Sequence, residues 1–329
     1  MLPCAIWANE SIDLEEHIQE FVLETRRIEV PGYPDAFNAS IIRWRGSLLM
    51  SFRIIPDRAS SFTSLLGLIA LNDDFSPRGE PQILKMRTEK DVSPSRAEDA
   101  RLVSVGDHLY IIYADNMEPK ISRGGFRVYV AELIYDGHSF EMASREKLSR
   151  FEGMCPQKRE KSWVPFDYQG NLFLAYSLDP HLIFHPLLDG SGECETIASS
   201  SPAIDWDYGL LRGGTPATMV DGKYLAFFHS VKEMQTVHSD NHRSLHYFIG
   251  AYTFQPEPPF HLLQMSPEPI IAKGFYHNTG FRPYWHPVRA IFPCGYLVED
   301  DVIWVVYGRE DHEIWAMKLD KAGLFRSLR

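Results

Sequence analysis

Residues 101–115, RLVSVGDHLYIIYAD, decide how this chain folds. Two short runs of aliphatic and aromatic residues flank the polar pair Gly106-Asp107, and this combination predicts two antiparallel strands joined by a tight turn. The pattern occurs five times along the chain, each time as an apolar strand, a turn, and a second strand that ends on a polar residue. The copies begin at Ser40, Arg101, Trp163, Pro216 and Cys294.

Further strand candidates follow most of these hairpins, such as SLLGLIALN after the first and EIWAMKLD after the last. Units of three or four strands, repeated at intervals of about 50 to 80 residues, are typical of the blades of a β-propeller. A large β-sandwich is the alternative, because it also alternates strands and turns. Five similar hairpins in series favour an all-β fold, a five-bladed β-propeller.

One segment, residues 11–26, predicts a helix instead. It opens with Ser11, places acidic residues early and arginines late, and spaces its apolar residues on one face. Those apolar residues are Ile12, Leu14, Ile18, Phe21 and Val22. We therefore predict a short N-terminal helical extension over residues 1–36 and a propeller domain over residues 37–329.

The composition limits the classes of function. The chain has 329 residues, of which 44% are hydrophobic, and this is typical of a globular protein with a sizeable core. Its net charge of -11 argues against a nucleic-acid partner. No apolar run is long enough to span a membrane, and the N-terminus turns acidic too early for a signal peptide, so we expect a cytoplasmic protein. The cysteines lie far apart, which predicts neither a zinc site nor a disulfide framework.

The propeller prediction places a particular set of residues together. The first strand of each blade lines the central channel, so residues just before the first strand and just after the second converge on one mouth of that channel. These positions hold Asn38, Arg53, Arg58, Glu98, Asp99, Arg101, Asp115, Lys161, His181, Arg212, Thr215, His229 and Asp311. The opposite ends of the hairpins carry ordinary turn residues, such as Arg45-Gly46 and Asp221-Gly222. The chemistry is therefore expected at one mouth only.

A carboxylate among cations suits an anionic reactant beside an acid catalyst. The pKa of Asp99 depends on a contest between burial, which raises it, and Arg101, which lowers it. The alternative is that Glu98, Asp99 and Arg101 form a structural ion pair between two blades. Both interpretations stay open on these residues alone.

Three other mouth residues also have ordinary explanations when each is taken alone. Lys161 could be a solvated lysine, His181 a core histidine with its hydrogen bonds satisfied, and Asp311 an acid in a turn. Their equivalent positions in successive repeats favour a shared site over three unrelated explanations.

The run VHSDNHRSLH spaces His238, His242 and His246 by four residues. On a helix the three side chains would share a face and could bind a metal. The segment is polar and interrupts the fourth repeat, so we expect a solvated loop and predict no metal site. No phosphate-binding loop, GxSxG elbow or HExxH motif is present.

Several short motifs, in this order and spacing, resemble glycoside hydrolase family 130, whose five-bladed propellers include β-mannoside phosphorylases and β-mannosidases. The resemblance covers about residues 37 to 320. EDAR, at residues 98–101, resembles a Glu-Asp-Pro-Arg motif of the family, with Ala100 in place of the proline. The other similar segments are FNASIIRWRGSLLMSFR at residues 37–53, EKSWVPF at 160–166, RGGTPATMVDGKYLAFFHS at 212–230 and FPCGYLVEDDVIWVVYGREDHEIW at 292–315.

The resemblance implies roles for the mouth residues. Asp99 would be the general acid, acting on the glycosidic oxygen through a sugar hydroxyl. Arg53, Arg58, Lys161 and His181 would bind phosphate, and Asn38, Glu98, Arg101 and Asp311 would hold the terminal sugar. Inorganic phosphate, a co-substrate with no further cofactor, would attack with inversion and convert a β-mannoside into α-mannose 1-phosphate, or the reverse transfer would occur.

Two other functions remain open at this stage. A β-mannosidase would use water and would need a second carboxylate to activate it. A propeller without catalytic activity would bind a glycan or a protein at the same mouth. The expected partners are an oligosaccharide or mannoside and inorganic phosphate, without nucleic acid or membrane, and the sequence leaves a homo-oligomer open.

Overall fold

The computed structural model describes residues 12–58, 63–87, 93–116, 125–277 and 289–329. Within these ranges the chain forms 21 β-strands in five antiparallel sheets, one α-helix, α1 (Lys321–Ser327), and two 3-10 helices, Leu14–His17 and Val237–Ser239. None of the described helices is long and apolar enough to cross a membrane.

The strands follow one another in chain order with short connections. They are β1 (Val22–Ile28), β2 (Phe37–Trp44), β3 (Ser47–Ile54), β4 (Leu65–Leu71), β5 (Gln82–Ile83), β6 (Glu98–Val105), β7 (His108–Asp115), β8 (Arg127–Tyr135), β9 (Phe140–Lys147), β10 (Val164–Tyr168), β11 (Asn171–Leu178), β12 (His181–Pro186), β13 (Cys194–Ser200), β14 (Leu210–Gly213), β15 (Thr218–Val220), β16 (Lys223–Met234), β17 (Ser244–Phe254), β18 (Leu262–Met265), β19 (Ile291–Glu299), β20 (Val302–Arg309) and β21 (Glu313–Asp320).

These strands build a five-bladed propeller, which confirms the predicted fold. Blade one contains β2 to β5, blade two β6 to β9, blade three β10 to β13 and blade four β14 to β18. The innermost strands contact one another around the axis, β2 with β6 and β19, and β6 with β10. All five predicted hairpins form, with left-handed residues such as Gln169 and Asp221 in their turns, as tight hairpin turns require.

Blade five closes the ring with a strand from the other end of the chain. Its sheet has the order β1-β21-β20-β19, and β1 pairs antiparallel with β21 from Ile28 opposite Ile314 to Val22 opposite Leu319. Strand β1 therefore covers what would otherwise be an open sheet edge at the outside of the blade.

This pairing corrects one prediction. Within the described part of residues 11–26 the helix is wrong, since only Leu14–His17 forms a single turn of 3-10 helix and Val22–Ile28 is a strand. The backbone hydrogen bonds offered by β21 outweigh a short amphipathic pattern, because tertiary pairing readily overrides helix propensity. Ser11, the predicted first residue of that helix, lies outside the described residues.

Blade four departs from the regular pattern at its inner edge. Strands β14 and β15 both pair with β16, and the segment between them carries Gly213, Gly214 and Thr215. A Cβ atom on Gly214 would collide with the carbonyl oxygen of Phe227, so this close approach of two backbones requires glycine. The break turns residues 212–215 towards the channel mouth.

Two cavities lie at opposite ends of the blades. One, of about 610 Å³, is bounded by the turn ends of the inner strands and lined mostly by apolar residues, including Ile42, Val103 and Tyr296. The other, of about 570 Å³, lies beside the mouth where the strands begin, and its lining includes four basic and two acidic residues. The predicted asymmetry between the two ends is thus present in the fold.

We predict that Gly250→Ala destabilises the propeller without touching the mouth. Gly250 in β17 faces Phe228 in β16, and an added Cβ would overlap the phenyl ring. Overpacking of this kind lowers the free energy of unfolding by about 1–3 kcal/mol, which urea or thermal unfolding would measure. In a Phe228→Leu background the same substitution should cost less. An equal cost in both backgrounds would show that the ring is not what excludes the methyl group.

Candidate active site

Asp99 and Asn38 occupy equivalent irregular positions at the starts of two inner strands. Both are left-handed, with φ of 58° and 48°, and both lie in register shifts, between Glu98 and Arg101 in β6 and between Phe37 and Ser40 in β2. Bulges of this kind redirect a side chain out of the regular alternation. As a result, Asn38 Nδ2 donates a hydrogen bond of 2.9 Å to Asp99 Oδ1 between blades one and two.

Cations from three blades surround the Asp99 carboxylate. Arg53 Nη1 lies 3.4 Å from Asp99 Oδ1, and Lys161 Nζ lies 3.8 Å from Asp99 Oδ2. Arg101 Nη1 donates to the Asp99 carbonyl oxygen at 2.5 Å. Burial opposes ionisation of Asp99, but Lys161, Arg53 and Arg101 outweigh it and hold the pKa of this carboxyl below its usual value. The free protein therefore presents Asp99 as a carboxylate at neutral pH.

Glu98 shares the same cations. Arg53 Nη2 lies 3.0 Å from Glu98 Oε2, and Lys161 Nζ and Arg159 Nη2 lie 3.7 and 3.5 Å from Glu98 Oε1. Arg53 and Lys161 thus bridge two adjacent carboxylates, which explains how two buried acids can lie side by side.

Asp311 approaches the mouth from the turn after β20. Its carbonyl oxygen accepts a hydrogen bond of 2.5 Å from Arg58 Nη2, and the guanidinium groups of Arg58 and Arg53 lie 5.0 and 4.9 Å from the centre of the Phe37 ring. The surrounding walls partly desolvate the Asp311 carboxyl, which raises its pKa; Arg53 lowers this pKa and the charge of Asp99 raises it further. The side chain itself stays accessible to solvent.

A basic cleft between blades three and four opens beside Lys161. It has a volume of about 570 Å³, and its charged lining consists of Lys158, Arg159, Lys161 and Arg212 with the acids Glu160 and Asp179. The Arg212 guanidinium forms no ion pair or hydrogen bond with any residue in the described ranges. Tyr247 forms part of the wall, and burial followed by the charges of Asp311 and Asp99 raises the pKa of its phenol.

His229 lies behind Tyr247 and stays neutral. Its Nδ1 donates a hydrogen bond of 2.9 Å to the Gly213 carbonyl oxygen, and its ring is stacked with that of Tyr247 at 6.1 Å. Burial, together with Arg101 and Lys161, lowers the pKa of His229 to about 3. Because Nδ1 carries the proton, Nε2 of His229 is an acceptor and cannot serve as a cation.

The structure places His181 away from the mouth, and this position does not support its predicted role in phosphate binding. The side chain is fully buried, Nδ1 donates to the Phe260 carbonyl oxygen at 2.9 Å, and the ring packs against Tyr252 and Phe254. Burial lowers the pKa of His181 to about 4, so the ring is neutral. The residue opens β12, the third strand of its blade, and therefore faces blade four rather than the axis.

Two further positions of the predicted mouth are structural. Both Asp115 oxygens accept from Arg87, at 2.6 and 2.9 Å, and one also accepts from the Arg96 amide. Thr215 Oγ1 accepts from the Phe227 amide and donates to the carbonyl oxygen of the next residue, and so braces the split strand of blade four.

The sequence did not single out Arg159 or Tyr247. Arg159 belongs to the basic run QKREK at residues 157–161, which could have signalled it. Tyr247 had no local signal, because its place beside His229 depends on the pairing of β16 with β17.

The three spaced histidines do not share a helix face. His238 lies in a 3-10 helix against Asp13, whereas His246 begins β17 and contacts Thr236. Within the described residues no group of three or more potential metal ligands comes together.

Five blades that gather acids and cations at a single mouth have the arrangement of a glycoside-processing propeller. The sequence profile of a family described as beta-1,4-mannooligosaccharide phosphorylase, glycoside hydrolase family 130, matches residues 8–322. The chain belongs to this family, which comprises phosphorylases and hydrolases of mannosides. No curated protein sequence matches the chain.

Solved structures of the family share the fold at low sequence identity. A beta-1,2-mannobiose phosphorylase from Listeria innocua is 15% identical, with 94% of each chain covered and a TM-score of 0.60. A mannose phosphorylase from Leishmania mexicana, in complex with phosphate ion, is 12% identical over 93% of this chain and 90% of that one, with a TM-score of 0.60. A structure reported with hydrolases that target beta-1,2 mannosidic linkages in Candida mannan is 14% identical over 88% and 85%, with a TM-score of 0.62.

We predict that His181→Asn leaves catalysis unchanged. The asparagine amide can still donate to the Phe260 carbonyl, but the ring packing is lost, so the free energy of unfolding should fall by about 1–3 kcal/mol. Steady-state kinetics normalised to folded protein should match the wild type, and thermal unfolding should show the loss. A selective rise in the KM for phosphate would instead show that His181 contributes to phosphate binding.

Proposed function

We propose that this protein is an inverting glycoside phosphorylase that cleaves terminal β-mannosides with inorganic phosphate, or forms them from α-mannose 1-phosphate. Asp99 is the acid catalyst. Asn38, Arg101 and Asp311 hold the terminal mannosyl group, and Arg53 and Lys161, with Arg212 beyond them, receive phosphate. The main support for this proposal is the basic cleft that opens beside Lys161. In this cleft Arg212 forms no ion pair or hydrogen bond with any of the described residues.

The charge balance supports phosphate as the nucleophile. An incoming phosphate and the Asp99 carboxylate repel each other, so a phosphorylase needs cations between them. Lys161 and Arg53 both contact Asp99, and the cleft adds Lys158, Arg159 and Arg212 on the adjoining wall. A site that only activated water would not need this excess of positive charge.

The bonds exchange in one displacement. A phosphate oxygen attacks the anomeric carbon as the bond to the leaving oxygen breaks, and inversion gives the α-configured sugar phosphate. The leaving oxygen takes a proton that originates on Asp99 and passes through a hydroxyl of the sugar. Reading the same step backwards, the Asp99 carboxylate accepts the proton of the acceptor hydroxyl.

Phosphate binding also prepares Asp99 for this role. In the free protein Lys161 and Arg53 keep the pKa of Asp99 low. A bound phosphate partly neutralises both cations and adds negative charge, so the pKa of Asp99 rises and the residue can hold a proton. Asp99 therefore becomes protonated, and able to act as an acid, only when phosphate is bound.

Hydrolysis of the same bond is the competing function. It requires an ionised second carboxylate as base. Both carboxylate oxygens of Glu98 are already engaged by Arg53, Arg159 and Lys161. Desolvation and the charge of Asp99 raise the pKa of Asp311. Asp311 is the candidate base if water replaces phosphate.

The decisive experiment offers α-mannose 1-phosphate with a panel of sugar acceptors and measures released phosphate. The proposal expects release that depends on the acceptor. Mannose release from β-mannosides in phosphate-free buffer, without any phosphate release in the synthetic direction, would establish hydrolysis instead. Absence of both reactions would favour a binding propeller.

We predict that Asp99→Asn lowers kcat by roughly 100-fold or more, because the amide cannot donate the catalytic proton. Circular dichroism and the thermal midpoint should stay near those of the wild type, since Asn38 and Arg53 can still contact the amide oxygen. Asp107→Asn, at the opposite turn, is the matched control and should be fully active. Near-normal turnover of Asp99→Asn would remove this residue from the acid role.

We predict that Lys161→Met raises the KM for phosphate by about 10-fold or more, the cost of a lost hydrogen bond to a charged group. Loss of this cation also raises the pKa of Asp99 in the free protein, so the pH profile of kcat/KM should shift to higher pH. Lys85→Met, which removes an exposed lysine of blade one, serves as control. Equal phosphate KM values in the two variants would contradict the assignment of Lys161.

A further inference from the structure

The turn that carries Asp311 is strained and must be held from outside. Glu310 and Asp311 are consecutive left-handed residues, with φ of 54° and 57°, although neither is glycine. Such backbone conformations persist only where the surrounding structure fixes them. Gly308, just before the turn, packs against Asn38 so closely that a Cβ would collide with the Asn38 side chain. The end of β20 that leads into the turn therefore contacts the same asparagine that binds Asp99.

Glu310 anchors this turn below the mouth. Its side chain is 1% exposed, and Oε1 lies 3.1 Å from Arg289 Nη1. Its amide donates to the Ala290 carbonyl oxygen at 2.8 Å, and its carbonyl oxygen accepts from His312 Nδ1 at 2.7 Å. Glu310 is thus held by one buried ion pair and two backbone hydrogen bonds.

Arg289 connects the same ion pair to blade four. It is 5% exposed, and its Nε donates to the His238 carbonyl oxygen. Its backbone joins β17, where the Arg289 carbonyl oxygen accepts from the Tyr247 amide at 2.9 Å and its amide donates to Leu245 at 3.0 Å. One ion pair therefore links Asp311, through Glu310, to Tyr247 on the wall of the basic cleft.

This pair is a poor device for stability alone. Taking two charges out of water costs as much as their attraction returns, and an apolar pair would hold the chain as well. Glu310 Oε2 is buried without a hydrogen-bond partner among the described residues. A buried ion pair is better explained where it fixes a geometry that an apolar contact would leave loose.

We propose that Glu310 is a positioning residue for mannoside binding, whose ion pair with Arg289 holds Asp311 and Tyr247 in the orientation that receives the terminal sugar. This inference rests on the proposed role of Asp311 in holding that sugar. Glu310 touches no substrate itself, so its effect should fall on binding rather than on the chemical step.

The charges facing Glu310 set the direction of a pH effect. Desolvation raises the pKa of Glu310 to about 7, while Arg289 and then Arg309 lower it and Glu313 raises it. His312 Nδ1 donates to the carbonyl oxygen of Glu310. As the pH falls through about 7, Glu310 takes up a proton, the ion pair weakens, and the turn loses its anchor.

The test compares Glu310→Gln with Glu313→Gln in steady-state kinetics from pH 5.5 to 8.5. Glu313 is a matched control because it is also a buried acid paired with an arginine, with Oε2 lying 2.7 Å from Arg309 Nη2. It lies after the turn, as the first residue of β21. At pH 8 we expect Glu310→Gln to raise the KM for the mannosyl substrate by about 10-fold with kcat little changed, which is the signature of lost uniform binding. Glu313→Gln should keep the wild-type KM.

The pH profile supplies a readout that a purely structural role would not move. In the wild type the KM for the mannosyl substrate should rise as the pH falls below about 7. In Glu310→Gln the KM should already be high at pH 8 and should not change as the pH falls through 7. A normal KM in Glu310→Gln, an unchanged pH dependence, or an equal rise of KM in both variants would overturn the inference.

Failure of the proposed function can be told apart from failure of this inference. If the wild type turns over no substrate, calorimetric binding of mannose and of α-mannose 1-phosphate replaces the KM. Weaker binding by Glu310→Gln than by wild type and Glu313→Gln would then uphold the positioning role, and equal binding by all three, or none by the wild type, would refute it.

Discussion

Closure of the ring is the constraint on which the rest of this structure depends. Asn38 belongs to blade one, Asp99 to blade two, Lys161 leads into blade three, and Asp311 follows the second strand of blade five. No two of these residues share a hairpin, so their contacts depend on the packing of neighbouring blades, including that of β19 against β2 where the ring closes. Contacts between blades therefore set the distances at the mouth.

Electrostatics at the mouth follow from this convergence. The chain carries a net charge of -11, yet arginines and lysines from several blades meet around Glu98 and Asp99. Neither set of charges would be tolerable alone in so little water. Together they hold the pKa of Asp99 below its usual value in the free protein. Under the proposed function, arrival of phosphate would raise this pKa, so that binding of one reactant and protonation of the acid would be one electrostatic event.

Local patterns predicted most of the fold and part of the site. The hairpins and their turns could be identified because strand alternation and turn residues are encoded within a few neighbouring positions. The meeting of Asp99, Arg53 and Lys161 was predicted because equivalent blade positions share one mouth. The helix over residues 11–26 and the place of His181 at the mouth failed where distant pairing decided the outcome, with β21 in one case and blade four in the other. Glu310 and Arg289 were not singled out, because Arg289 lies upstream of the predicted hairpin that begins at Cys294, although the two residues meet at the paired ends of β19 and β20.

Ala100 shows how such contacts replace a local restraint. The family motif that EDAR resembles has a proline where this chain has Ala100. A proline there would restrict the backbone conformation of the preceding residue, Asp99. Here Ala100 is fully buried in the apolar layer between blades one and two. The left-handed Asp99 is instead held by Asn38 and Arg53 through its carboxylate and by Arg101 through its carbonyl oxygen. Three contacts from blades one and two hold Asp99, so its orientation depends on how these two blades pack and not on the residue at position 100 alone.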